Sequence, residues 1–286
     1  MGLFTNKPAG FYAQRKNLFI VLALFVIGIT IYSNVLLAQF IFDDGVYVLK
    51  NAKLYDLTNF LAVPWNRYMT YLTFAINHAV GGYNPFDFHL TNIIIHVFNS
   101  VWLYYLILLT LKTPLIKKGF EDKSIPSWGI AFAAALLFLA HPVQTQAVSY
   151  VAQRFASLAA FFYLSSVLCY VRFRLAQCKD EPGKGEDSHG HLTPDPRRLA
   201  LVPRHPSPAR GEGVNGREVF YVSSLVLGAC AQLSKEISFT LPAVIILYEF
   251  LFFGGEGRRD APASPDAFPR LPSHVLCGGW SVGTMK

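Results

Sequence analysis

Long apolar runs alternate along the chain with short polar stretches, and the length of these runs predicts helices that cross a bilayer. Residues 18–42 carry no charge and exceed the roughly 20 residues a spanning helix needs. A second run covers residues 89–111, with His89, Asn92, His96 and Asn99 spaced three, four and three apart on one helical face. Polar groups in a span are costly towards lipid, so this stripe is expected to face other helices or a wet cavity. Hydrogen bonding between helices is the simplest use for Asn92, His96 and Asn99; His89, nearest the outer surface, is equally a site candidate. Residues 127–140 form a short third run, interrupted at His141-Pro142. Proline favours a first helical turn, so a fourth helix begins there, carries Gln146, Tyr150, Gln153, Arg154 and Ser157 as one polar stripe, and runs apolar to Tyr170. Residues 219–233 and 237–253 complete an all-α, polytopic pattern of about six spans.

The stretches between the runs give orientation. Lys7, Arg15 and Lys16 precede the first run, which is too long for a cleavable signal and lacks a small-residue cleavage site, so it reads as an anchor. Lys112, Lys117, Lys118 and Lys123, then Arg172 and Arg174, then Arg258 and Arg259 mark further cytoplasmic loops under the positive-inside rule. Both termini are therefore expected inside, with residues 43–88 as an outer loop. In that loop Asn66, Thr70, Thr73 and Asn77 recur at helical spacing, opposite Tyr68, Leu72, Ile76 and Ala79. This predicts an amphipathic helix lying on the outer surface, ended by Gly81-Gly82.

The chain then divides into a basic N-terminus (1–16), a first membrane part (17–177), a polar stretch (178–217), a second membrane part (218–253) and a tail (254–286). The polar stretch is rich in Pro, Gly, Asp and Arg without apolar periodicity and reads as a disordered cytoplasmic insertion resembling a translated bacterial intergenic repeat. The tail also lacks helical periodicity and reads as disordered. With 52% of its 286 residues apolar and 15% charged, the chain is too apolar for an ordinary soluble domain. The net charge of +7 fits basic inner loops better than a nucleic-acid partner. The four cysteines have no metal-ligand spacing and give no disulfide framework.

Chemistry is expected where the first run ends, at Phe42-Asp43-Asp44-Gly45. Two adjacent carboxylates leaving a membrane can simply be solvated. Four polar clusters nevertheless share the outer side: Asp43-Asp44, Arg67 with His78 and His89, His141 to Arg154, and Lys235-Glu236. The third and fifth runs are shorter than a bilayer core, which draws His141 and Lys235-Glu236 below the surface, where ionisable groups need partners or water. A cavity holding acids and bases suits group transfer from a lipid phosphate. Cationic donors would hold the phosphate, and a carboxylate would take the proton of the attacking hydroxyl. The other aspartate would orient the acceptor or hold a divalent cation.

Phe42-Asp43-Asp44, Asn66-Arg67-Tyr68-Met69-Thr70-Tyr71-Leu72-Thr73, His89-Leu90-Thr91-Asn92, His141-Pro142-Val143-Gln144-Thr145-Gln146-Ala147-Val148 and Lys235-Glu236 follow one another in order. In this succession the chain resembles the N-terminal membrane part of the transmembrane and tetratricopeptide-repeat O-mannosyltransferase-like family, of the C-type glycosyltransferase fold and related to the protein O-mannosyltransferases. The resemblance implies an inverting glycosyltransferase that moves a sugar, mannose by analogy, from a polyprenyl-phosphate donor to a protein hydroxyl, on the outer or lumenal side; the bacterial-type repeat in the insertion points to a bacterial inner membrane. It implies Asp43 or Asp44 as general base. Arg67, Arg154 and Lys235 would hold the lipid phosphate, with His89, His141 and Glu236 shaping the site. No metal requirement follows. The repeats would show as a helical period of about 34 residues, which the sequence lacks, so a shortened member is expected. A non-catalytic membrane or envelope assembly protein and a small-solute transporter remain alternatives.

Overall fold

The structure, a computed structural model, describes residues 9–51, 67–120, 126–180 and 216–253. Among them there are helices and no strands. Helix α1 (Ala9–Tyr32) continues as a 3-10 turn (Ser33–Leu37), and after the acidic pair a π-helical turn follows (Gly45–Leu49). Next come α2 (Tyr68–Gly81), α3 (Pro85–Thr110) and the short α4 (Pro114–Phe120). Helix α5 (Ser127–Ala140) is followed by a 3-10 turn (Pro142–Gln144), α6 (Thr145–Ser149), a second 3-10 turn (Val151–Gln153) and α7 (Arg154–Asp180). Helix α8 (Gly216–Gln232), a 3-10 turn (Glu236–Thr240) and α9 (Leu241–Phe252) end the described chain. The predicted insertion and tail lie largely outside the described residues, although α7 runs on to Asp180 and α8 starts at Gly216.

Helix α3 is the central element and packs on α1, α5, α6 and α7. Its start is set by Asn84, whose side-chain oxygen accepts from the Phe86 amide at 3.2 Å, with Pro85 in the first turn. Helix directions follow from side-chain contacts. Tyr104 donates to Asn17 (2.9 Å) and Tyr32 donates to the Leu139 carbonyl (3.0 Å), so α1 runs antiparallel to α3 and parallel to α5. Lys16 over the Trp128 ring at 5.2 Å places the second turn of α1 beside the first turn of α5. Arg154 bonds Asn92, and Asn99 donates to the Ser157 carbonyl at 2.9 Å, so α3 and α7 run parallel. Ser166 and Ser224 each donate to the other's carbonyl, at 2.7 and 2.9 Å, tying α7 to α8. Phe173 stacks on Tyr221, which makes that pair antiparallel, and Tyr170 donating to Glu249 sets α9 parallel to α7.

Helices α1, α3, α5, α7, α8 and α9 therefore alternate between two ends. One end gathers Asp43, Asp44, Arg67, Arg154, Lys235 and Glu236. The other carries Arg15, Lys16, Lys112, Arg172, Arg174 and Arg217. Between them the core of α1, α3 and α5 holds Leu24, Ile93, Val97 and Leu139, all essentially sealed. Gly28 lets α1 and α3 approach closely, because a Cβ there would lie 2.5 Å from Val97 Cγ2. Leu18, Leu22 and Val26 of α1, Leu225 and Val226 of α8, and Ile246 and Phe250 of α9 point outward, as lipid-facing surfaces do.

Three helical stretches are long and apolar enough to cross a membrane: Arg15–Leu37, Pro85–Thr110 and Val151–Cys178. The pair Ser127–Ala140 and Pro142–Ser149, bent by 49°, makes a fourth if it is one span. This makes a membrane protein with three to four candidate spans among the described residues, short of the six predicted. The physical reason is length: α8 has 17 residues and α9 has 12, about 26 and 18 Å of helix at 1.5 Å per residue.

Two further expectations change. The fourth helix is not continuous, since Tyr150 is extended (φ −90°, ψ 122°) between α6 and α7. Helix α2 ends at Gly81-Gly82 as predicted, with Gly82 at φ +62°, a conformation that favours glycine. Its polar stripe, however, turns inward. Thr70 is buried, Thr73 and Asn77 bond Arg154, and Ile76 and Val80 are exposed.

Candidate active site

The two aspartates have separate places. Phe42 takes a positive φ of 49°, an uncommon conformation for a bulky residue, and the chain then enters a turn in which the Asp43 carbonyl accepts from the Val46 and Tyr47 amides, both at 3.0 Å. Asp44 falls inside, with no exposed surface. Its Oδ1 accepts from the Ala152 amide at 2.7 Å and its Oδ2 from the Ile41 amide at 3.1 Å. The carboxylate thus satisfies one amide freed where the helix breaks before α7, a favourable place for negative charge, and one from its own segment after α1. Asp43 is exposed and opens onto a cavity of about 320 Å³, lined also by Phe42, Gln146, Tyr150 and Gln153, with the buried Asp44 and Ala152 behind its wall.

Arg154 is the largest fully buried side chain in the described structure. Its Nε donates to Asn92 Oδ1 (2.7 Å), Nη1 to Asn77 Oδ1 (2.6 Å) and Thr73 Oγ1 (3.3 Å), and Nη2 to the Phe88 carbonyl (2.8 Å). The rings of Phe74 and Phe88 close over it, 4.6 and 5.6 Å from the guanidinium carbon. A buried cation needs such partners, and Asp44 supplies a nearby opposite charge. The predicted phosphate ligand is therefore turned into the protein, away from the cavity surface.

The α3 stripe serves the same break. Asn92 donates to the carbonyls of Tyr150 (3.1 Å) and Val148 (3.4 Å). His96 pairs with the Leu139 carbonyl at 3.2 Å, whereas Ser100 donates to the Ala135 carbonyl inside α5, at 2.9 Å, and ties the two helices together. Interrupted helices leave carbonyls unpaired, and an apolar surrounding makes each costly. His89 differs: it is sealed, and neither ring nitrogen has a close hydrogen-bond partner, although Ala38, Asp44 and Arg154 lie around it.

Arg67, at the start of α2, lies over the Phe155 ring at 5.0 Å, donates to the Tyr47 hydroxyl at 3.4 Å and pairs with Glu236 Oε1 at 3.4 Å. The pair is partly solvent-exposed, at 30% and 47%. Burial works against the Arg67 charge, but Tyr47 and Glu236 outweigh it and raise its pKa. The Glu236 carboxyl is held below its usual range by its own backbone amide and then by Arg67. Lys235 is half-buried beside it, with extended backbone at φ −160°. His141 is exposed and accepts from the Val143 amide through Nδ1 (3.2 Å), capping the turn after α5. It borders a separate hollow with Phe138 and Gln144, not the acidic cavity.

The structure thus joins Asp44, His89 and Arg154 in a sealed cluster, and Arg67 with Glu236 beside Tyr47. Asp43 stands in the cavity, and His141 stands apart. Tyr47, Thr73, Asn77 and the Phe88 carbonyl were not among the predicted site residues. Thr73 and Asn77 carried a legible signal, their shared helical face, whereas a backbone carbonyl carries none. Among the described residues no three His, Cys, Asp or Glu side chains come together as a metal-binding group.

An all-helical membrane bundle with acids and cations gathered at one polar end and a mostly basic opposite end is the class these features define. Three curated relatives sharpen it. The chain is 28% identical to protein O-mannosyl-transferase TMTC2 of Mus musculus over 162 residues, covering 51% of the chain and 18% of the relative. It is 30% identical to protein O-mannosyl-transferase TMTC1 of Homo sapiens over 201 residues, covering 70% and 18%. It is 31% identical to human protein O-mannosyl-transferase TMTC3 over 157 residues, covering 49% and 16%. The chain belongs to the transmembrane and tetratricopeptide-repeat O-mannosyltransferase-like family. It spans less than a fifth of the length of these relatives. No family model and no solved structure matches it.

Proposed function

We propose that the chain is the membrane part of a glycosyltransferase that moves a sugar, mannose by relation to its family, from a polyprenyl-phosphate donor to a protein hydroxyl. The observation that carries this reading is the exposed Asp43 carboxylate in its cavity, at the same end of the bundle as Arg67 and Lys235, in a chain related to protein O-mannosyl-transferases. Asp43 takes the proton as a Ser or Thr oxygen bonds to the sugar's anomeric carbon. The bond from that carbon to the phosphate oxygen breaks, and the lipid phosphate leaves. Arg67 and Lys235 balance its charge. Asp44 and Arg154 act as positioning residues, holding the break from which Tyr150 and Gln153 reach the cavity. The six alternating helices, with the short ones counted as membrane segments, would put this end on the outer face and the basic end inside, in a bacterial inner membrane.

The test is transfer of labelled mannose from polyprenyl-phosphate mannose to protein in membranes holding the chain. Asp43→Asn is expected to abolish transfer while leaving the thermal unfolding midpoint in place. Asp44→Asn is expected to lower that midpoint, because its amide sets a donor against an amide that now has an acceptor; an unsatisfied buried group costs about 1–3 kcal/mol. Full transfer by Asp43→Asn would overturn the assignment of the base. No transfer by the unaltered chain would overturn its activity in isolation and favour a non-catalytic role.

A further inference from the structure

At the end of the bundle opposite the acidic cavity, a groove of about 520 Å³ lies between residues 15–23 of α1 and the start of α5. Its floor is apolar. Phe19 and Ala23 follow Arg15 at four-residue steps on α1, Ile20 follows Lys16 in the same way, and Trp128 and Phe132 do so on α5. These i, i+4 positions form adjacent ridges on parallel helices, and the groove runs between them along the helix axes. Phe19 is 69% exposed and Trp128 39%, so the groove is open to its surroundings.

The rim has a chemistry of its own. Arg15 and Lys16 stand where the first membrane-crossing stretch begins, and Lys16 stacks on the Trp128 ring. Tryptophan at that depth marks the boundary between lipid tails and headgroups. No carboxylate lines the groove among the described residues. Two cations, an interfacial indole and an apolar floor reaching into the membrane match a ligand with an anionic head and a hydrocarbon tail.

We infer that this groove binds an anionic glycerophospholipid of the leaflet in which α1 and α5 begin. One acyl chain lies against Phe19, Ala23 and Phe132, and the phosphate sits at Arg15 and Lys16. A zwitterionic lipid has the same tails but brings its own cation to the rim, so it competes poorly there. The inference rests on the membrane setting of the helices and not on the transferase reading, and it survives if no sugar is transferred.

The full chain is reconstituted in vesicles with a trace of phosphatidylglycerol bearing a photoreactive acyl chain, or with the matching phosphatidylcholine, and labelled peptides are mapped. Phosphatidylglycerol is expected to label residues 15–23 and 126–132 several-fold more than phosphatidylcholine. Each cation removed in Arg15→Gln and Lys16→Gln should reduce the preference roughly fivefold, the worth of one basic residue at an anionic surface. Raising ionic strength on the unaltered chain should shrink the preference too, which keeps the test valid if a variant misfolds. Equal labelling by the two lipids, labelling indifferent to salt, or labelling only elsewhere on the chain would overturn the inference. Exclusion of both lipids, as by a protein seated in the groove, would do the same.

Discussion

Asp43 and Asp44 are chemically the same and structurally opposite. Both oxygens of Asp44 are engaged by amides, one from its own segment and one from a distant one, whereas Asp43 is open to solvent. Arg154 is held as firmly as Asp44, with hydrogen bonds to three side chains and one carbonyl. Arg154→Leu leaves Asn92, Asn77 and the Phe88 carbonyl without their donor and Asp44 without its nearby cation. A loss of about 3–5 kcal/mol is expected, as for other broken buried charge clusters. Arg154→Lys keeps the charge but not the planar fork, so it should recover only part of this. Denaturant unfolding in detergent measures both, and a Leu variant as stable as the parent would remove the structural role argued for Arg154.

At the scale of the element, the decisive feature is the interruption between α5 and α7. The break at His141-Pro142 is visible in the apolar pattern, and the extended Tyr150 adds a second one inside what the pattern presents as a single fourth helix. The freed backbone groups are taken up by α3, through Asn92 and His96, by Tyr32 of α1, and by Asp44. The close contact at Gly28 keeps α1 near enough to α3 and α5 for this. Gly28→Ala should push α1 away from Val97 and cost about 1–3 kcal/mol, as overpacking does. Gly45→Ala, where an added Cβ meets nothing within 4 Å, should stay within about 0.5 kcal/mol. Equal unfolding midpoints for the two variants would contradict the close packing at Gly28.

At the scale of the whole molecule, the polar end is closed by links between distant segments. The Met69 amide donates to the Leu233 carbonyl at 3.1 Å, and Arg67 meets Glu236. The Glu236 carboxyl has a depressed pKa in the fold, set first by its own amide and then by Arg67. Its contribution is therefore complete above the ordinary carboxylate pKa and is lost as pH falls through the lower folded value. Hydrogen exchange at Met69, corrected for its intrinsic pH dependence, should show more frequent opening below about pH 4. Glu236→Gln should remove that pH-dependent part. An identical profile in the variant would mean that the Arg67–Glu236 pair does not hold this end together. The effect is expected to be small, because both side chains are partly exposed and water screens them.

Helix class, the apolar runs, the turn at Gly81-Gly82 and the grouping of the acidic pair with Arg67, Arg154 and Lys235 at one end were legible in the sequence. They depend on local propensity, on the period of apolar residues and on the count of chain crossings, all of which a single chain carries along its length. The structural use of Asn92 and His96 was legible too, because a polar stripe inside an apolar run has few places to go. Tertiary structure alone decided which aspartate faces solvent, that Arg154 points inward, and that the polar face of α2 packs on the bundle instead of on water. Each of these depends on a partner far away in sequence: Ala152 for Asp44, Asn77 for Arg154, and Arg154 for Thr73. Side chains next to one another in sequence differ in role when their backbone groups, freed by a helix break, find different neighbours in space, and no pattern along the chain records which neighbours those are.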